Sequence, residues 1–121
     1  MLSVREILNA TNGILLNGDL EKEISNYKID SREINDGDFY VPIIGEKVDG
    51  HKFILDTIKK GCIGFFTSED VELENIKSIN TKVIVIKVED TLKALQAIGK
   101  YSRNKKIDIE GIEISAINQD I

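Results

Sequence analysis

The sequence predicts an α/β domain, a small mixed or parallel sheet flanked by helices. Three observations predict it. The segments between Ile24 and Asn104 follow the order strand, helix, strand, strand, helix. Cys62 to Thr67 is an almost unbroken apolar run, as expected of a strand covered on both faces. The stretch joining Phe39–Ile44 to that run is long enough to hold a helix and return the chain as a right-handed parallel crossover.

Each element has a local reason. Ser3 can cap a helix from Val4, with Val4, Ile7 and Leu8 on one face and Asn12-Gly13 as its stop. Asn17-Gly18, between Ile14-Leu15-Leu16 and Leu20, predicts a small hairpin. Ile24 to Ile29 reads as a strand with Tyr27 and Ile29 on one face. Asn35-Asp36-Gly37-Asp38 is turn chemistry, and Phe39 to Ile44 is a second strand in which Pro42, lacking an amide donor, predicts an edge or a bulge. A helix from Asp49 or Gly50 to Lys60 turns Phe53, Ile54 and Ile58 inward and ends at Gly61. Ser68 to Thr81 is polar and irregular. Lys82 to Val88 is a strand, and Glu89-Asp90-Thr91 caps a helix to about Asn104 with Leu92, Leu95, Ile98 and Tyr101 or Ser102 inward. Ile107, Ile109, Ile112 and Ile114 suggest one further strand, out of phase at Gly111.

At 121 residues this is one domain with room for an ordinary core. No apolar run approaches bilayer length, and the amino terminus lacks the pattern of a signal peptide. A net charge of -5 and a pI near 4.9 argue against nucleic acid as a partner. The one basic cluster, Lys100, Arg103, Lys105 and Lys106, suits a helix end. A single Cys62 forms no internal disulfide and fits a cytoplasmic setting; one Cys and one His make a zinc site from those ligands improbable.

Two polar clusters follow the strands. Asp30-Ser31-Arg32 sets an acceptor, a hydroxyl and a guanidinium fork at a strand end, suited to a base edge and to an anion; the competing reading is an Asx turn with a surface Arg. Gly45 to His51 runs into a helix start, where glycines admit a ligand close to the backbone and free amides favour a diphosphate. Glu46 and Asp49 oppose that, and Asp49 as a helix cap is the competing reading. His51 has no paired nucleophile in its sequence surroundings, Cys62 begins an apolar strand, and no catalytic site is picked out. Nor does any Gly-x-x-x-x-Gly-Lys-Ser/Thr phosphate loop occur.

Asp30-Ser31-Arg32, the Gly37-Asp38-Phe39-Tyr40-Val41 segment, and Gly45 followed by Asp49-Gly50-His51-Lys52-Phe53 together resemble the N-terminal, UDP-binding domain of the Mur ligases. The resemblance runs roughly from Val4 to Asn104, with its specificity in 29–53. It is nearest to the branch that adds D-Ala-D-Ala in peptidoglycan precursor synthesis; the branch adding the third stem-peptide residue shares the Asp-Ser-Arg and Asp-Gly-His features. It implies that residues 1–106 bind UDP-N-acetylmuramoyl-peptide and that 107–121 begin a linker or strand toward an absent ATP-binding domain. Ser31 and Arg32 would meet the uridine end, and Gly45, Glu46, Asp49, Gly50 and His51 would line the UDP-sugar pocket. The parent would be a cytoplasmic bacterial ligase using ATP and magnesium to activate the substrate carboxylate. This fragment, without the ATP loop and the central and C-terminal domains, should be inactive and hold no cofactor or metal of its own. A non-enzymatic protein-interaction domain is the reading from another class.

Overall fold

The first helix starts and stops where its sequence chemistry dictates. In the computed structural model, which describes residues 1–105, α1 (Val4–Thr11) is capped by Ser3. The Ser3 hydroxyl accepts from the Glu6 amide and the Glu6 carboxylate accepts from the Ser3 amide, each at 3.1 Å. That reciprocal pair satisfies two donors the helix cannot. Asn12, left-handed at φ 58°, closes it.

A five-stranded sheet runs in the order β2 (Ile14–Asn17), β7 (Ile84–Lys87), β6 (Gly64–Thr67), β5 (Phe39–Tyr40), β4 (Tyr27–Lys28). Strands β4 to β7 are parallel and β2 is antiparallel to β7. A two-stranded antiparallel ribbon, β1 (Leu2–Ser3) with β3 (Glu23–Ile24), stands beside it. The remaining helices are α2 (Ile54–Lys59), α3 (Leu73–Ile79) and α4 (Thr91–Lys105). Because strand side chains alternate, β6 and β7 feed two cores. Phe66, Ile84 and Ile86 pack with Val4, Ile7, Leu95 and Ile98 from α1 and α4. Phe65, Val83 and Val85 pack with Ile54, Ile58 and Ile76 from α2 and α3. The result is a three-layer α/β/α domain, in which burying each large apolar side chain contributes about 2 kcal/mol.

Several expectations are corrected by long-range pairing. Asn17-Gly18 makes no hairpin with Leu20: β2 pairs with β7, and Asn17 Nδ2 donates to the Thr81 and Val83 carbonyls at 3.0 and 2.8 Å. Gly18 is needed because at φ 118° a Cβ would lie 2.8 Å from the Ile84 side chain. The expected strand 24–29 is split, Ile24 pairing with Leu2 and Tyr27 with Phe39, while Ile29 lies exposed. β5 is an interior strand, and Pro42 ends it by withholding a ladder donor. The helix expected over 50–60 opens as a 3-10 turn, Gly50–Phe53, before α2. Residues 68–81, expected to be irregular, contain α3, whose single buried residue Ile76 gives almost no periodic signal. In α4 Leu92 is exposed; Thr91 turns inward instead, its hydroxyl donating to the Pro42 carbonyl, and Asp90 supplies the cap to the Lys93 amide. The strand over Ile107 to Ile114 and the boundary at 106/107 lie outside the described residues.

Candidate functional site

The sheet edge formed by β4 and β5 delivers both polar clusters to the carboxyl ends of parallel strands, where α/β sheets hold ligands. There Ser31, Arg32, Gly45 and Gly50 line one hollow of about 590 Å³, with Ile29, Tyr40, Ile43, Val48 and Phe53 as its apolar wall. That size, with few polar groups on an apolar wall, suits a small organic ligand.

The turn after β4 is built by its own side chains. Asp30 accepts from the Arg32 amide at 2.9 Å and from its guanidinium through Nε at 3.0 Å and Nη2 at 2.8 Å. The guanidinium bonds hold the Asp30 carboxyl down to about 2 and raise Arg32 further. Arg32 is thereby aimed while its side chain stays 86% exposed, leaving donors for an anion. Lys60 Nζ donates to the Ser31 carbonyl at 2.9 Å.

The second cluster folds back on itself. Gly45 donates to the Val48 carbonyl at 2.8 Å across the Ile44–Asp49 bridge, so Val48 comes over the hollow. Gly50 is jammed against β5: a Cβ would lie 2.9 Å from both the Ile43 nitrogen and the Tyr40 hydroxyl. The Tyr40 hydroxyl donates to the Gly50 carbonyl at 2.8 Å, and burial pushes its pKa to about 12. Tyr40 thus ties the two clusters together, a role the sequence reading missed because a Tyr inside a strand looks like core alone.

Glu46, Asp49 and His51 have no side chain in the wall of that hollow. Asp49 caps the 3-10 turn by accepting from the His51 amide at 2.9 Å, the bond that chiefly lowers its carboxyl below the ordinary range. The amides expected to attract a diphosphate are therefore partly occupied from within. His51 is buried with its ring between two partners: Nδ1 lies 2.7 Å from Asp49 Oδ1, and Nε2 accepts from the Ser68 amide at 3.0 Å. The ring faces a smaller hollow of about 240 Å³ near Glu69 and Val71.

Asp49, His51 and Glu69 bring one ligand atom each within 4.8 Å, which raises the question of a metal. The hydrogen bonding does not suit one. With Nε2 an acceptor from Ser68, the proton sits on Nδ1; an ion on Nδ1 would put a proton on Nε2 against the Ser68 N–H, and an ion on Nε2 would displace Ser68. Asp49, His51 and Ser68 instead brace the 44–51 loop against the end of β6. A larger hollow, about 830 Å³, opens at the amino ends of the strands between Gly18, Gly37 and Lys82, away from both clusters.

A family model described as Mur ligase family, catalytic domain, matches residues 23–103. The chain belongs to the Mur ligase family. Among its relatives is the UDP-N-acetylmuramoyl-L-alanyl-D-glutamate–2,6-diaminopimelate ligase of Clostridium perfringens, 35% identical over 95% of this chain and 23% of that protein. Another is the UDP-N-acetylmuramoyl-tripeptide–D-alanyl-D-alanine ligase of Buchnera aphidicola, 38% identical over 86% of this chain and 21% of that protein. The chain thus spans about a quarter or less of the length of these Mur ligases. Among solved structures, MurF from Acinetobacter baumannii superposes with a TM-score of 0.70 at 23% identity, over 85% of this chain and 21% of that one. The shared α/β fold is therefore that of a region of a Mur ligase. MurF ligase from Thermotoga maritima in complex with ADP gives 0.56 at 20% identity, over 67% of this chain and 17% of that one.

Proposed function

We propose that this chain is the N-terminal, substrate-holding domain of a Mur ligase and that it grips UDP-N-acetylmuramoyl-peptide by its uridine end. The carrying observation is the single hollow lined by Ser31, Arg32 and Gly45 at the carboxyl ends of β4 and β5. A flat base can lie against Tyr40, Ile43 and Phe53 with its polar edge toward the Ser31 hydroxyl, and Arg32 then faces the diphosphate. Gly50 shapes this wall through its backbone, and Asp49 and His51 act behind it by fixing the loop.

Of the two branches, the ligase adding the third stem-peptide residue is the reading the relatives support better, since the Clostridium perfringens and Clostridium tetani diaminopimelate ligases align with 95% and 97% of this chain. The D-Ala-D-Ala-adding branch is the second reading, supported by the 38% identity to the Buchnera aphidicola enzyme. In either case the parent is a cytoplasmic ligase that uses ATP and magnesium, and this domain positions the nucleotide substrate for domains beyond it. Such positioning lowers the entropic part of the barrier. The chain contains no Gly-x-x-x-x-Gly-Lys-Ser/Thr loop to hold ATP phosphates, so it should show no ATPase activity by itself.

Calorimetry with UDP, UDP-N-acetylmuramic acid and ADP tests the reading. Heat for the two uridine compounds and none for ADP is the expected result. No heat for any of them, with a protein partner captured instead, would favour an interaction domain and overturn it.

A further inference from the structure

The Asp30–Glu33 turn carries the two side chains on which the proposed pocket depends, and two of its carbonyls are also held by lysines. Lys28 Nζ reaches the Glu33 carbonyl at 3.3 Å from inside the domain, where it is also paired with Asp38. Lys60 Nζ reaches the Ser31 carbonyl at 2.9 Å from outside, across 29 residues of sequence. Lys60 is the C-cap of α2, and the next residue locks that helix end to the loop leading into β5. Gly61, at φ 98°, accepts from the Gly37 amide at 2.9 Å, and a Cβ on it would lie 2.5 Å from Asp36. The ammonium group thus projects from a fixed point, and it does not itself line the hollow.

We propose that Lys60 is a positioning residue of the uridine pocket: by holding the Ser31 carbonyl it sets the direction in which the Ser31 hydroxyl faces the ligand. This rests on the reading of the hollow as a uridine site. Ser31 makes no side-chain hydrogen bond among the described residues, so nothing else orients its hydroxyl, whereas Arg32 is already tied to Asp30. Without Lys60 the turn keeps its Asp30 cap and loses, among the described residues, the hydrogen bond that ties Ser31 to the end of α2. An exposed charge-assisted contact of this kind is worth a few-fold in affinity.

The test uses the full 121-residue chain and two probes, uridine and UDP. Titration calorimetry is run on the unsubstituted protein, Lys60→Ala, Lys60→Arg, Ser31→Ala, the Lys60→Ala/Ser31→Ala pair, and Lys59→Ala as a neighbouring control. The expected result is that Lys60→Ala weakens uridine and UDP by the same factor, about threefold. Lys60→Arg should restore binding, Lys59→Ala should have no effect, and the melting temperature should stay put. In the Ser31→Ala background the Lys60 substitution should cost little more, since both act on one group. A loss for UDP without a loss for uridine would mean that the ammonium simply attracts the diphosphate, and additive losses with Ser31→Ala would mean that it does not act through the turn. Either result overturns the proposal, as does unchanged binding by Lys60→Ala. If the unsubstituted protein binds neither probe, the uridine reading itself fails and this inference with it. A ligand-free measurement stands beside these: exchange of the Glu33 amide, bonded to the Asp30 carbonyl at 3.0 Å, should speed up in Lys60→Ala, and unchanged exchange counts against the tether.

Discussion

At the scale of single residues, the site separates side chains that face the ligand space from side chains that build the wall. Ser31 and Arg32 belong to the first kind. Ser31→Ala should weaken uridine and UDP alike and Arg32→Ala should weaken UDP, each leaving the melting temperature within about 1 °C, because neither side chain is buried. Gly50 belongs to the second. Its missing Cβ is filled by the Ile43 nitrogen and the Tyr40 hydroxyl, both part of β5 and its continuation, so the loop cannot yield without moving a central strand. Gly50→Ala should lower unfolding free energy by about 1–3 kcal/mol in urea titrations and weaken ligand binding with it. An unchanged urea midpoint would mean that the loop relaxes at no cost. The sequence alone presents Gly45, Asp49, Gly50 and His51 as one ligand-facing run. The Asp49 cap on the His51 amide is legible as the competing reading, but the sequence cannot say that the ring of His51 takes the Ser68 amide from 17 residues away. That partner comes from the end of β6, and no local pattern announces it.

At the scale of elements, the legible features were those with a local cause. Ser3, Asn12, Gly61 and the largely apolar β6 each act within a turn or a strand, and α1, α2, β6, β7 and α4 stand close to where the pattern puts them. The features that failed, β2 as a hairpin arm and 24–29 as one strand, depend on partners far along the chain: Val85 and Ile86 for β2, Leu2 and Phe39 for the split strand. The same dependence makes the turn after β4 rest on a buried ion pair. Lys28 Nζ and Asp38 Oδ2 are 3.0 Å apart with side chains 10% and 4% exposed, and Asp38 also accepts from the Asn35 amide at 2.8 Å. Lys28→Met would keep the aliphatic stem but strand the carboxylate, so a loss of about 3–5 kcal/mol is expected. Urea unfolding of that variant checks this, and a loss under 1 kcal/mol would show that water reaches Asp38.

At the scale of the whole molecule, the two cores on either face of one sheet make folding depend on groups that must stay neutral. Burial pushes the Cys62 thiol up to about 11 and the Tyr40 phenol to about 12, and it raises the Tyr27 phenol as well, with the Glu6 carboxylate adding to the Tyr27 shift. For each, the folded chain holds its proton to higher pH than the unfolded chain, which releases it near 9 for the thiol and near 10 for the phenols. Between those values the unfolded state binds fewer protons, so stability falls as pH rises. The contribution is whole below about pH 9 and gone once the folded groups ionise, on the order of 2 kcal/mol for Cys62 and for Tyr40. Thermal denaturation should therefore give a midpoint that changes little from pH 7 to 8.5 and drops steadily from pH 9 to 11.5. In Cys62→Ala, which removes the group that titrates first, the drop should begin about one pH unit later. Native Cys62 should also react slowly with a thiol reagent at pH 8 and fully in urea, since the thiolate forms only when the strand opens. A midpoint that holds level to pH 11, or a thiol that reacts at once in the native protein, would place Cys62 and Tyr40 in contact with water and break the link between the α2 face of the core and the wall of the site.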